Sequence, residues 1–168
     1  MTSRSPPTLM TTERLLLEPL TPAHAVEMAP LLDDPALYRY TGGGPVPLRQ
    51  LRERYERQAR GRSADGRQLW FNWIVRETAT SVAVGYVQAT VDVESRAADV
   101  AWVIGSPHQG SGYAREAAGA MVAWLRSTGV TAVTAHVRPE NVASAAVARA
   151  VGLAATPDVE NGEVLWRG

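Results

Sequence analysis

A glycine-rich turn between a strand and a helix constrains this chain more than any other feature. Residues Gln109-Gly110-Ser111-Gly112-Tyr113-Ala114 read QGSGYA. They follow the apolar run Val100 to Ile104 and precede a long helical pattern that opens near Gly112. Glycine takes positive φ and lets a backbone approach a ligand closely. The first N–H groups of a helix have no partner inside it, and the helix dipole adds roughly half a positive charge there. Together these make a seat for an anion, so the turn predicts a phosphorylated ligand.

The order of elements around this turn is readable. Arg14 to Leu20 reads as a first strand. Thr21 is a good N-cap with Pro22 at the first helical position, so a short helix is expected up to Asp33-Asp34-Pro35. Tyr38 to Pro47 is a Gly/Pro-rich loop. Leu48 to Arg62 is an arginine-rich helix with Leu48, Leu51 and Tyr55 on one face. Trp70 to Arg76, Val82 to Val91 and Ala97 to Ile104 are strand-like, the first two close enough for a hairpin. A helix from Gly112 to Thr128 ends at Gly129. Thr131 to Val137 is a strand, Asn141 to Val151 a helix ended by Gly152, and Glu163 to Trp166 a last strand after the turn Asp158 to Gly162. This is an α/β (α+β) arrangement with one parallel crossover: a single domain over residues 11–168 after a disordered lead-in over 1–10.

Composition removes several chemistries. The 168 residues carry no net charge, which argues against nucleic acid and anionic membrane surfaces as partners. No apolar run approaches the ~20 residues that span a bilayer, and the polar N-terminus lacks a signal core, so a cytoplasmic protein is expected. Cysteine is absent, which excludes disulfides, thiolate metal sites and a cysteine nucleophile. Lysine is absent too: all 17 basic residues are arginine. A P-loop lysine and a lysine Schiff base are therefore impossible. His24, His108 and His136 form no metal-binding pair in sequence, and no metal is expected.

Three segments together resemble the GNAT acyltransferase superfamily. They are QGSGYA, which fits its Q/R-x-x-G-x-G/A pyrophosphate motif, the preceding strand DVAWVIGSP, and HVRPENVASAAVARAVGL from His136 to Leu153. The stretches TTERLLLEPLTPAHA and LLDDPALYRY are similar to the RimJ/RimL-like branch. The resemblance implies one GNAT-like domain with a mixed, mostly antiparallel, twisted sheet of about six to seven strands and about four helices. It also implies strands splayed apart at the cofactor site. Acetyl-CoA is the implied cosubstrate. Its diphosphate would sit on Gln109, Gly110, Ser111, Gly112, Tyr113 and Ala114, and its peptide-like arm beside Trp102, Val103 and Ile104, with Asn141 and Ser144 as further polar contacts.

The implied reaction is attack of a neutral amine on a thioester. Positioning supplies much of the gain. An amine of pKa ~8 must lose a proton at a cost of about 1.4 kcal/mol at pH 7, a lysine-type amine about 4.6 kcal/mol. Asp99 is the candidate base, at a position where the branch often carries Glu. Glu116 reads as a structural acid. A backbone N–H near Val103 or Ile104 is the oxyanion donor. The family's thiolate-protonating Tyr corresponds here to Ala148, and Ser144 is the substitute candidate. The acceptor is expected to be a small-molecule or amino-acid-like amine. A protein N-terminus is the alternative, and a non-catalytic acyl-CoA sensor a further one. Its pocket would draw on the Tyr38–Pro47 loop as a lid hinged at Gly42 to Gly44, with Trp70, Trp73, Tyr86 and Trp102. Monomer and homodimer both fit.

Overall fold

A computed structural model describes residues 6–168. Eight strands form one sheet in the order β1-β2-β3-β4-β5-β6-β8-β7. They are β1 (Met10–Thr11), β2 (Leu15–Pro19), β3 (Gln68–Glu77), β4 (Ala83–Asp92), β5 (Ala97–Ile104), β6 (Ala132–Val137), β7 (Ala154–Glu160) and β8 (Glu163–Arg167). The described residues also form four α-helices: α1 (His24–Leu32), α2 (Leu48–Gln58), α3 (Tyr113–Ser127) and α4 (Val142–Ala150). Every strand pairing is antiparallel except β5 with β6, which are joined through α3.

Strand alternation sends side chains to two layers. Phe71, Trp73 and Val75 on β3, Val87, Ala89 and Val91 on β4, and Ala98, Val100 and Ile104 on β5 meet Ala117, Met121 and Leu125 of α3. Ile74 of β3 faces the other way, with Tyr86 and Val103 beside it, against Met28 and Leu32 of α1 and Leu51 and Tyr55 of α2. Arg76 ties α1 to this face, donating from Nε to Glu18 (2.9 Å) and from Nη2 to Glu27 (2.9 Å). Gly85 lies opposite Ile104, where a Cβ would run into the carbonyl of Val103. Glycine thus permits the close approach of β4 to the strand beside the turn.

Several boundaries differ from expectation. The helix after Pro22 starts at His24 because the Thr21 N–H donates to the His24 imidazole Nδ1 (3.0 Å) instead of Thr21 capping it. Leu48 remains exposed at the start of α2 while Leu51 and Tyr55 are buried. Strand β7 occupies part of the expected Asp158–Gly162 turn. The disordered lead-in expected over 1–10 does not hold at its end: Met10 pairs with Leu17, and the Trp73 indole donates to the Thr8 carbonyl (2.9 Å). Residues 1–5 lie outside the described residues.

Candidate active site

The turn has the conformation its glycines permit. Gly110 and Gly112 both sit at φ +83°, in the left-handed region that other residues enter at a cost. Gly112 caps α3, and the first helical bond runs from the Glu116 N–H to the Gly112 carbonyl (3.1 Å). The N–H groups of residues 110–115 meet no acceptor among the described residues. That run includes Ser111, Tyr113 and Ala114.

The turn is clamped from the start of β2. Arg14 donates from Nη1 to the Ser111 carbonyl (2.7 Å) and from Nε to Glu116 (2.8 Å), and its guanidinium lies 4.7 Å from the centre of the Tyr113 ring. The Tyr113 hydroxyl donates to Glu77. Glu116 also accepts from the Thr12 hydroxyl (2.6 Å) and the Arg14 N–H (2.8 Å). Burial pushes the Glu116 carboxyl up, but the Thr12 and Arg14 donors outweigh it and hold the group below the usual carboxylate range. Its donors make Glu116 a structural acid. Gln109 donates its side-chain amide to the Ile104 carbonyl (2.8 Å), so that side chain fixes the turn to the end of β5.

Beside the turn the sheet opens. β5 and β6 pair only through Ala97, Ala98 and Asp99, although β5 continues to Ile104. The Gly105 N–H donates to the Val84 carbonyl (2.8 Å), which sets the phase of the β4–β5 ladder. Alternation in an antiparallel ladder then turns the main-chain groups of Val103 toward β4 and those of Trp102 and Ile104 toward the gap. Of the two N–H groups expected to stabilise an oxyanion, that of Val103 is therefore committed to the ladder and that of Ile104 is turned to the gap. The Trp102 side chain packs on the α3 layer, away from the expected acceptor pocket.

Asp99 stands where the gap begins, 52% exposed. It accepts from the Thr134 hydroxyl (3.0 Å), and His136 Nδ1 lies 3.2 Å from the same oxygen. No sequence motif joined His136 to Asp99; only the parallel pairing of β5 and β6 brings them together. Asn141 caps α4, its side-chain oxygen accepting from the Ser144 N–H (3.2 Å). The Ser144 hydroxyl has no partner among the described residues, and Ala148 is fully buried one turn further on.

The face of Asp99 and Val103 continues across β4 and β3 through the pairs Thr90–Asp99, Gln88–Ala101, Asn72–Gln88 and Ile74–Tyr86. α2 arches over this face and leaves a cavity of about 260 Å³, bordered by Tyr38, Leu51, Arg54, Tyr55, Gln58, Asn72, Tyr86 and Gln88. A second cavity of about 260 Å³ shares Arg54, Gln58, Asn72 and Gln88 and adds Arg57, Trp70 and Thr90. Tyr38, Trp70 and Tyr86 of the expected pocket are therefore brought together. Trp73 also borders the first cavity, while its ring packs in the opposite layer, 5.2 Å from that of Trp124. Arg138 donates to the Tyr40 carbonyl (2.6 Å), tying the expected lid to the end of β6. Among the described residues no three His, Asp or Glu side chains gather as metal ligands, and no helix is long and apolar enough to cross a membrane.

A family model described as an acetyltransferase (GNAT) domain matches residues 14–154. No curated protein matches at significant similarity. Among solved structures, the ribosomal L7/L12 alpha-N-protein acetyltransferase RimL in complex with coenzyme A superposes with a TM-score of 0.81 at 15% identity, covering 96% of this chain and 97% of that one. The microcin C7 self-immunity acetyltransferase MccE, in complex with acetyl-CoA and AMP, gives 0.79 at 15% identity, covering 100% and 99%. The ribosomal-protein-S5-alanine acetyltransferase from Vibrio fischeri gives 0.78 at 18% identity, covering 96% of each. At these identities the likeness is one of fold.

Proposed function

The chain belongs to the GNAT acetyltransferase family, and from that premise we propose that it moves an acetyl group from acetyl-CoA to the primary amine of a small molecule or amino-acid-like metabolite, by direct attack within a ternary complex. The observation that carries this reading is the run of unpartnered N–H groups over residues 110–115, set beside the open edge of β5. Unpartnered amides at a helix start fit a diphosphate, and an unpaired strand edge fits an amide-bearing arm. Acetyl-CoA would be held by Gly110, Ser111, Gly112, Tyr113 and Ala114 through main-chain N–H groups and by Trp102 and Ile104 along the gap. It supplies the activated acetyl group.

The chain's own residues do the rest. The cavity under α2 orients the acceptor. Asp99, with His136 against it, takes through a relay of water the proton that the amine loses as its nitrogen bonds to the acetyl carbon, because five residues of β5, roughly 16 Å, separate it from Ile104. The Ile104 N–H meets the oxyanion. The carbon–sulfur bond then breaks, and the thiolate leaves toward Ser144, whose hydroxyl offers it a hydrogen bond. Ser144→Ala is expected to lower kcat by about 2- to 10-fold, the worth of one ordinary hydrogen bond, with acetyl-CoA affinity little changed. Steady-state kinetics beside calorimetric titration check this, and unaltered kcat removes Ser144 from the mechanism.

Ala114→Pro tests the diphosphate seat. Proline is tolerated in the first helical turn and removes one N–H that serves no internal bond. The fold is expected to persist while acetyl-CoA affinity falls at least about tenfold, the loss of one charge-assisted hydrogen bond. Unchanged affinity places the diphosphate elsewhere. The transfer itself is tested by thiol release from acetyl-CoA with a panel of small amines and N-terminal peptides. Release with small amines supports the reading. Release with peptides alone favours an N-terminal protein acetyltransferase.

A further inference from the structure

We propose that the acceptor amine carries an anionic group of the carboxylate class, and that Arg54 holds this group together with the hydroxyls of Tyr55 and Tyr86. The chemistry at the amine rests on the transfer reading above; the anion seat does not. No acidic residue borders either cavity under α2, and their charged lining residues are Arg54 and Arg57. Neither guanidinium has an ion-pair or hydrogen-bond partner among the described residues, unlike Arg14, Arg49 and Arg76.

The tyrosines supply the second observation. Tyr38 donates its hydroxyl to the Leu32 carbonyl (2.9 Å). Tyr55 is only 4% exposed, yet its hydroxyl has no partner among the described residues, and neither has that of Tyr86 on the same wall. Buried hydroxyls are normally satisfied. Two donors beside a free guanidinium match the oxygens of a carboxylate.

The opposite end of the site has the opposite sign. Asp99 borders the gap on the same face, and Gln88 and the small Ala101 lie between it and the cavity. A cation would thus point at Asp99 and an anion at Arg54. Gln88 is one strand over from Asp99 and two residues along, and Asn72 two strands over, so at about 4.8 Å per strand and about 3.3 Å per residue the cavity floor lies roughly 8–12 Å from Asp99. That span suits an amine several bonds from its carboxylate.

The experiment uses matched acceptors: 6-aminohexanoate, its amide, and hexylamine. The carboxylate is expected to exceed the amide by at least about tenfold in kcat/KM, the worth of a charge-assisted bond. Arg54→Gln should shrink that ratio to under about threefold, Tyr55→Phe should reduce it partly, and Arg54→Lys should restore some of it. Arg54 is exposed and unpaired, and Tyr55→Phe removes only an unpartnered hydroxyl while keeping the buried ring, so these variants fold. Equal use of amide and carboxylate, or a ratio intact in Arg54→Gln, overturns the proposal. Thermal shifts with the same three compounds separate it from the transfer reading. A shift by 6-aminohexanoate in the wild type but not in Arg54→Gln, without thiol release, upholds the anion seat and sinks the transferase chemistry. Thiol release without carboxylate preference does the reverse.

Discussion

Asp99→Asn is expected to lower kcat for high-pKa amines about 100-fold at neutral pH, the low end of what a positioned base contributes. The substitution keeps shape and the Thr134 hydrogen bond but removes the proton acceptor. The deficit should close as pH rises toward the amine's own pKa, because free neutral amine then replaces the need for a base. A merely structural role would lower activity by the same factor at every pH. The acid beside the glycine turn cannot take over, since Glu116 is already occupied by the Thr12 hydroxyl and by the backbone and side chain of Arg14. The measurement is a pH profile of kcat for wild type and variant with one amine. An Asp99→Asn enzyme within threefold of wild type at pH 7 removes this residue as the base.

His136 sharpens the same test. It reaches Asp99 only because β6 runs parallel to β5 through Asp99 and Thr134. Periodicity and spacing along the chain carry no trace of such a pairing. The glycine turn was readable because its information is local. Positive φ, a helix start and a preceding strand all lie within a few residues of Gly112. Six strands, β2 to β6 and β8, and the four helices were readable for a similar reason, each having an alternating or helical apolar pattern. β7 was not. Ala154 to Glu160 contains Pro157 and Asp158, its side chains are almost all exposed, and a register shift separates Ala155 from Val159. Edge strands tolerate such residues because one side of the ladder is free.

Side-chain commitments were equally hidden. QGSGYA suggested Gln109 as a ligand contact, and the structure turns its side chain back to Ile104. Four aromatic residues suggested one pocket, but strand alternation puts Trp70 and Tyr86 on the α2 side and Trp73 and Trp102 on the α3 side. Composition gave the type of lining, and only the pleat decided which rings share a face.

Trp73→Ala is expected to destabilise the fold by about 3–5 kcal/mol, a large share of what a domain possesses. Trp73 is fully buried, stacks near Phe71 (6.2 Å), meets Trp124 of α3 edge-on (5.2 Å), and donates its indole N–H to Thr8. Truncation opens a cavity between β3 and α3 and leaves the Thr8 carbonyl without that donor. For a chain of this length the melting temperature should fall by roughly 6–20 °C. The glycine turn has its own anchors in Arg14, Tyr113 and Glu116, so acetyl-CoA affinity measured well below the transition should change little. Saturating acetyl-CoA should then return part of the lost stability, because it binds the folded state alone. A drop of less than about 3 °C would mean that α3 is held to the sheet chiefly by Met121 and Leu125 rather than by the aromatic cluster. A parallel loss of affinity would mean that the cluster also sets the angle at which α3 presents its first N–H groups.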